Sequence, residues 1–196
     1  MTTAYPGLTF KVEDGTGFVD SNSYTTTDYA DAYHNLYGHT DWTGITDVTT
    51  KEEALMQATN AIDIMYGQEY YSIPRAQGLQ NYYPGSGPYI QALLFPRFVF
   101  VINQIQVIQT GVIPVQLQKA VCEVALMYIN GGETAIYPQP NLLKFTKTKS
   151  VKVGGIATST TFGKEIDAER YPGFWKIDKI LYPLLKKTNN PQYMSL

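Results

Sequence analysis

The chain has 196 residues, with 15 basic residues against 17 acidic ones, and 44% of its residues are apolar. This length predicts one domain, and the apolar fraction excludes wholesale disorder. No apolar run reaches the roughly 18–20 residues that span a bilayer. Residues 1–10 lack the features of a secretory signal, and the single Cys122 excludes an intrachain disulfide.

Charge is divided unevenly along the chain. Residues 1–143 hold five basic and thirteen acidic side chains, a net of −8, whereas residues 144–196 hold ten and four, a net of +6. Such an asymmetry indicates a partner for each sign. The basic part could meet nucleic acid, a neighbouring copy or an acidic protein, or both parts could simply be solvated. A dedicated nucleic-acid binder usually has a pI above the 5.7 of this chain.

The first part of the chain predicts an arm and two helices. Residues 1–23 are predicted as an extended arm with a turn at 12–17, because Asp-Gly favours a turn. A first helix follows the N-cap Thr26, ends at Gly38 and buries Tyr29, Ala32, Tyr33, Leu36 and Tyr37. After a loop over 39–49 that is polar except for Trp42 and Ile45, a capping box of Thr50 and Glu53 starts a second helix. That helix ends at Gly67 and buries Leu55, Ala58, Ile62, Met65 and Tyr66.

Residues 68–92 break the helical pattern with three prolines, three glycines and two tyrosine pairs. A loop of this length is usually functional or disordered, and its aromatic residues argue against disorder. We therefore predict a projecting loop that orders against a partner. The candidate partner-contact residues in it are Tyr70, Tyr71, Tyr82 and Tyr83.

The remaining chain predicts strands and two more helices. Residues 93–108 favour a short strand or an extended segment. A third helix begins at Pro114, ends at 131–132 and turns Leu117, Val121, Val124, Ala125 and Tyr128 to the core. Residues 144–162 predict a hairpin that carries the candidate contact residues Lys147, Lys149 and Lys152. A short helix over 174–185 is predicted to kink or to end early at Pro183, and the chain from 188 on is predicted as a free tail.

The predicted fold is therefore mainly α (α+β), a small bundle of about four helices with an extended N-terminal arm, a long central loop and a hairpin near the C-terminus. We assign residues 1–143 to a helical core with its arm and loop 68–92. Residues 144–196 form a basic hairpin, helix and tail, in the same domain or as a docking limb.

No combination of residues predicts catalysis, a cofactor or a metal. His34 and His39 are five residues apart, which does not suit a helical metal pair, and we expect surface or interface histidines. The segment 15–17 lacks the third glycine of a dinucleotide fingerprint, and 14–22 lacks the distal Glu of a calcium loop. Cys122 is predicted to be a small buried side chain. We therefore expect a protein that is not an enzyme.

Several short stretches, taken in order, resemble one family. They are 12–17, 22–24 with 30–33, 51–55 with 58–59, 91–93 with 95–97, Ile113-Pro114 with Ala120 and Glu123, and 177–178 with Leu181 and 183–185. The chain resembles the head-to-tail adaptor (connector) proteins of tailed bacteriophages, a group also labelled DnaT-like single-stranded-DNA-binding proteins. The resemblance spans about residues 10–185. It departs from the family at Phe95, where a tryptophan is usual, and in a longer segment 68–90.

The resemblance implies a small helical bundle with extended arms, whose copies, typically about twelve, form a ring beneath the portal. We accordingly expect a virion protein of the neck, made in the bacterial host cytoplasm, that joins the portal to the tail and lines the channel for the genome. Its partners would be itself, the portal and tail proteins, with DNA passing through without specific binding and no membrane. One alternative is a single-stranded-DNA-binding protein that uses Lys147, Lys149 and Lys152. Another is a neck or tail-completion protein one layer below the adaptor.

Overall fold

The structure is a computed structural model that describes residues 9–70, 73–82, 90–98, 100–102, 105–108, 111–137, 148–153, 156–161 and 174–185. The described chain is mainly helical, as predicted. Its helices are α1 (Thr27–Tyr37), α2 (Thr40–Thr43), α3 (Val48–Tyr66), α4 (Arg75–Tyr82), α5 (Val115–Gly131), α6 (Glu133–Ile136) and α7 (Trp175–Leu181). Its strands are β1 (Phe100–Ile102), β2 (Ile105–Ile108), β3 (Thr148–Val153) and β4 (Ile156–Thr161).

The core lies between α3 and α5, with α1, α2 and α7 packed around this pair. Leu55 and Ile62 of α3 and Leu117 of α5 are fully buried, as the helical spacing predicts. Trp42 of α2, in the segment predicted as a polar loop, is also fully buried. Each such side chain stabilises the fold by about 1.5–3 kcal/mol.

Helix α1 has its predicted ends but a different buried face. The Thr26 side chain accepts a hydrogen bond from the Tyr29 backbone N–H, and Gly38 has a left-handed backbone with φ of 70°. The prediction that Leu36 and Tyr37 are buried is wrong, because they are 81% and 55% exposed, and Ala32 is exposed as well. The buried residues are Ala30, Tyr33 and His34. Apolar spacing missed this face because it includes a polar His34.

Helix α3 begins earlier than predicted, and the capping box is wrong. Asp47 is the N-cap, and its carboxylate accepts hydrogen bonds from the backbone N–H groups of Thr49 (3.2 Å) and Thr50 (3.1 Å). The Thr50 hydroxyl also donates to Asp47, at 2.6 Å. Glu53 instead accepts a hydrogen bond from the Tyr128 hydroxyl of α5, at 2.8 Å. An aspartate is an equally good N-cap, so the start moves by three residues.

Residues 9–23 contain no helix or paired strand in the structure, and they fold back on themselves. The Glu13 carboxylate accepts hydrogen bonds from the backbone N–H groups of Gly15 (2.9 Å), Gly17 (2.8 Å) and Phe18 (2.9 Å) and from the Ser21 hydroxyl (3.0 Å). This part of the predicted arm is therefore a closed loop around one buried carboxylate. Residues 1–8 of the arm lie outside the described residues.

The prediction of a projecting loop over 68–92 is wrong in its described parts. Helix α4 forms within it, and the stretch before α4 is tied to the body by two backbone bridges, Tyr70 to Leu185 and Pro74 to Arg97. The prolines and glycines of this segment mark local turns, but they did not exclude the eight-residue helix between Pro74 and the second tyrosine pair. Residues 71–72 and 83–89 lie outside the description.

The later elements follow the predictions. Strands β1 and β2 pair antiparallel within the segment predicted to be extended. Strands β3 and β4 also pair antiparallel, from Thr148 opposite Thr161 to Val153 opposite Ile156, which confirms the hairpin. Helix α5 follows Pro114 and ends at Gly131, with Gly132 as its C-cap, and α7 gives way to a 3-10 turn at Tyr182–Leu184 that contains Pro183.

Candidate functional site

The structure disperses the predicted contact residues. Tyr70 is fully buried, with its ring against Phe95 at a centroid distance of 4.9 Å and beneath Arg97 at 5.5 Å. It is therefore a core residue with no surface to offer a partner, and burial raises the pKa of its hydroxyl. The others are on separate elements or outside the description: Tyr82 ends α4, Lys149 and Lys152 lie on β3, and Tyr71, Tyr83 and Lys147 are not described.

Helix α7 presents an exposed aromatic face that the sequence reasoning did not single out. Its buried side consists of Ile177 and Leu181, continued by Leu184 of the 3-10 turn. On the other side Trp175 is 70% exposed and Tyr182 is 45% exposed. The apolar residues Ile177, Ile180, Leu181 and Leu184 lie at helical spacing and predict this side, and of the four only Ile180 is partly rather than fully buried. The same helical spacing places Trp175 and Tyr182 on the opposite side, so the exposed aromatic side could have been predicted from the sequence.

Polar contacts attach α7 directly to α5 and α3, and through Glu123 also to α1. Glu123 of α5 accepts a hydrogen bond from the Tyr33 hydroxyl of α1 at 2.6 Å and forms an ion pair with Lys176 of α7 at 2.6 Å. Asp178 of α7 accepts a hydrogen bond from the Tyr66 hydroxyl of α3 at 2.6 Å. These contacts hold the helix at a defined rotation, so the exposed side has a fixed direction.

A second polar group surrounds the indole of Trp42. Asp31 accepts hydrogen bonds from the Trp42 indole N–H (2.7 Å) and from the Lys51 ammonium (2.8 Å). Burial alone would raise the pKa of Asp31, but the bonds from Lys51 and Trp42 outweigh it and lower that pKa. The His34 ring packs on Trp42 at 4.5 Å, with its Nδ1 2.8 Å from the Nδ1 of His39.

The expectation of surface histidines is wrong for His34. Its side chain is fully buried, and its Nε2 has no hydrogen-bond partner within the described chain. Burial, followed by the charge of His39, lowers the pKa of His34 to about 4. The residue therefore stays neutral at physiological pH. The spacing of the two histidines in the sequence does not predict this burial. His34 is covered because the chain turns at α2 and brings His39 back towards α1.

A third group fixes the segment after α4 against α3. Asp63 accepts hydrogen bonds from the Tyr24 hydroxyl at 2.7 and 2.8 Å and from the Leu94 backbone N–H at 3.1 Å. The Tyr24 oxygen in turn accepts a hydrogen bond from the Phe95 backbone N–H at 3.1 Å. Burial raises the pKa of Asp63 to about 6, although these bonds and the charge of Arg97 oppose the shift. Phe95, the departure from the resembled family, is fully buried here.

The body of the described chain has large apolar side chains at its surface. Besides Leu36, the most exposed examples are Val19 (66%), Ile64 (65%) and Ile90 (61%). The surrounding charge is acidic, since residues 1–143 carry a net of −8. Exposed apolar side chains of this size on a monomer can mark contacts with other proteins when they are contiguous.

The described residues contain no group of three or more His, Cys, Asp or Glu side chains placed to hold a metal ion. None of the described helices has the length and apolar character to cross a bilayer. Cys122 is buried as predicted, and burial raises the pKa of its thiol to about 12. Such a thiol is unreactive.

Comparison with known proteins finds one family. The family model described as "Putative DnaT-like ssDNA binding protein" matches residues 8–195. No curated protein and no solved structure matches the chain. The matched range includes both the acidic helical body and the basic C-terminal part.

Proposed function

The chain belongs to the family of DnaT-like single-stranded-DNA-binding proteins, and from this premise we propose that it binds single-stranded DNA. The observation that carries the proposal is the match over residues 8–195, whose description names the ligand. The proposal takes up the first of the two alternatives that the sequence left beside the adaptor function.

The charge distribution indicates where a phosphate backbone would bind. Phosphate groups supply most of the affinity of non-specific DNA binding, through contacts with Lys and Arg. Residues 144–196 carry the positive charge of this chain, while the remaining part would repel DNA. We therefore place the phosphate contacts on this basic segment, with Lys147, Lys149 and Lys152 as the first candidates.

Fluorescence anisotropy with a labelled oligothymidylate tests this proposal. The logarithm of the association constant should fall linearly with the logarithm of salt concentration, by about 0.7 for each phosphate neutralised. Replacing Lys147, Lys149 and Lys152 together by Gln should reduce this slope by about 2. Lys119→Gln, on α5 of the acidic body, is the matched control and should leave it unchanged. Absence of binding even at low salt would refute the proposal.

A second candidate function is a ring-forming adaptor between the portal and the tail of a bacteriophage, in the neck of the virion. The resemblance noted in the sequence suggests it, and the specific observation in its favour is the exposure of Leu36, Ile64 and Ile90 on the acidic body of the chain. A ring subunit must bury its side faces against two neighbours, and such side chains are suitable contacts. The partners would be further copies, the portal and tail proteins. A neck or tail-completion protein would need the same kind of surface.

Light scattering and negative-stain images of the protein alone and mixed with its portal test this second function. A ring-shaped layer added to the portal, and lost in the variants Leu36→Asp and Ile64→Asp, would support it. A protein that leaves the portal unchanged while binding oligothymidylate would support DNA binding alone. Both results together would indicate a ring that also contacts DNA.

A further inference from the structure

We propose that the exposed side of α7 and of the 3-10 turn that follows it, formed by Trp175, Lys179 and Tyr182, is a stacking surface for the bases of single-stranded DNA. The inference rests on the proposed DNA binding and goes beyond it by locating the bases. The bases are assigned to this surface and not to the hairpin lysines, because residues 146–161 contain no aromatic side chain on which a base could stack.

The three side chains share one side of the helix. Successive residues turn by about 100°, so positions 175, 179 and 182 lie within about 60° of one another. The distance along the axis from Trp175 to Tyr182 is about 10 Å. Two rings at this separation with a cation between them fit a strand whose bases stack while its phosphates meet the ammonium group. Aromatic stacking combined with positive charge is the usual basis of sequence-tolerant binding to single strands.

The charges on α7 leave a cation at the centre of this surface. Lys176 is held by Glu123, and the Asp178 carboxylate is engaged by the Tyr66 hydroxyl. Lys179 is exposed and makes no ion pair within the described part of the chain. In sequence, Lys186 and Lys187 follow the helix closely. A polyanion is therefore favoured here over an apolar or a cationic partner.

Among the described side chains, Tyr37 is the other aromatic one that is largely open to solvent, and it lacks this complement. Tyr37 on α1 is 55% exposed, but α1 contains Asp28 and Asp31 and no lysine or arginine. A phosphate backbone would be repelled there. Tyr37 thus has the exposure required for stacking without the charge, which makes it a matched control for Trp175 and Tyr182.

The attachment of α7 prepares this surface before binding. Its buried side contributes Ile177 and Leu181 to the common core, and its polar contacts reach Tyr66 of α3 and Glu123 of α5, which also accepts a hydrogen bond from α1. An aromatic surface that is already rigid loses little conformational entropy when a base stacks on it. Base stacking on such rings changes the affinity by about tenfold or more per base.

Tryptophan fluorescence provides a direct test, because the two tryptophans differ in exposure. Trp42 is fully buried, whereas Trp175 is 70% exposed. Adding oligothymidylate should quench the emission of Trp175, and Trp175→Phe should remove the quenching while retaining most of the affinity. Trp175→Ala and Tyr182→Ala should each weaken binding by about tenfold, and Tyr37→Ala should not. Circular dichroism of each variant checks that it is folded.

The outcomes separate this inference from the proposed function. If the unmodified protein binds oligothymidylate and the variants Trp175→Ala and Tyr182→Ala bind as tightly as Tyr37→Ala, the stacking surface is refuted and DNA binding stands. If the unmodified protein does not bind, both are refuted. If the α7 variants change the mass seen by light scattering but not the DNA affinity, the surface is a contact between copies, and the inference is refuted.

Discussion

Two buried groups should give this protein opposite responses to acid, and one substitution should reveal them. Asp63 has its pKa raised from 3.8 to about 6 by burial, near Tyr24 and Arg97. His34 has its pKa lowered from 6.5 to about 4 by burial and by the charge of His39. The folded state therefore favours protonated Asp63 and neutral His34.

The sign of each contribution follows from linkage. A group with a raised pKa in the folded state stabilises the fold at low pH, and this stability is lost as the pH rises through that pKa. On going from pH 7 to pH 4.5, Asp63 should therefore restore about 2 kcal/mol of stability. His34, whose pKa is lowered, contributes above its unfolded pKa and should lose about 2 kcal/mol over the same interval. Asp63 retains some exposure, so its value is an upper bound.

The two contributions nearly cancel in the unmodified protein, and Asp63→Asn should separate them. Asparagine keeps an oxygen for the Tyr24 hydroxyl and the Leu94 N–H but does not titrate. Its free energy of unfolding, measured with urea at pH 7 and at pH 4.5, should fall by about 2 kcal/mol relative to the unmodified protein on acidification.

The complementary variant His34→Gln should gain stability on the same acidification, and the double variant should respond like the unmodified protein. The remaining carboxylates are common to all four proteins, so their effects cancel in the comparison. If Asp63→Asn follows the pH dependence of the unmodified protein, burial does not raise the pKa of Asp63 and the argument fails.

Three further predictions concern the loop 9–23 and the buried thiol. Gly15→Ala should destabilise the protein by several kcal/mol in thermal unfolding, because its φ is 102° and a Cβ would lie 2.1 Å from the Gly111 carbonyl oxygen; Gly38→Ala, with φ of 70° and open space, should cost only about 1 kcal/mol, and equal effects would contradict this. Glu13→Gln replaces one acceptor oxygen by an NH2 group facing donors and should lower the free energy of unfolding by about 1–3 kcal/mol, with an unchanged midpoint as the contrary result. Cys122 should react with a thiol reagent only in denaturant, and rapid reaction of the native protein would show that the thiol is accessible.

The sequence predicted the helical fold where local signals agree with packing. In α5, a proline at the start, a pair of glycines at the end and apolar residues at helical spacing all indicate the observed element. The same agreement holds at Gly67 after α3 and at Pro183 after α7.

The wrong predictions concern side chains whose burial depends on residues elsewhere in the sequence. His34 is buried because α2 returns His39 and Trp42 to it, and helical spacing of apolar residues carries no trace of that contact. Tyr70 enters the core because Phe95 and Arg97 enclose it from a segment about 25 residues away in sequence. A tyrosine beside prolines and glycines has the same local sequence whether it is buried or exposed.

The candidate site was only partly predictable for a similar reason. The charge asymmetry directed attention to residues 144–196, and the aromatic residues directed it to 68–92. The surface on α7 combines both properties in a few residues. This surface depends on contacts that the sequence does not show. Glu123 pairs with Lys176 and Tyr66 bonds to Asp178, so that Lys179 is the exposed charge between the two rings.

The shared carboxylate of Glu123 makes the last helix inseparable from the first. Tyr33 and Lys176 approach the same Oε1 from opposite ends of the chain. A shortened protein that ends before residue 174 would leave an enclosed anion without its counterion and an apolar trough along α5 open to water. Truncation would therefore damage the scaffold together with the surface it carries, and the C-terminal helix can be dissected only by changing side chains on its outward side.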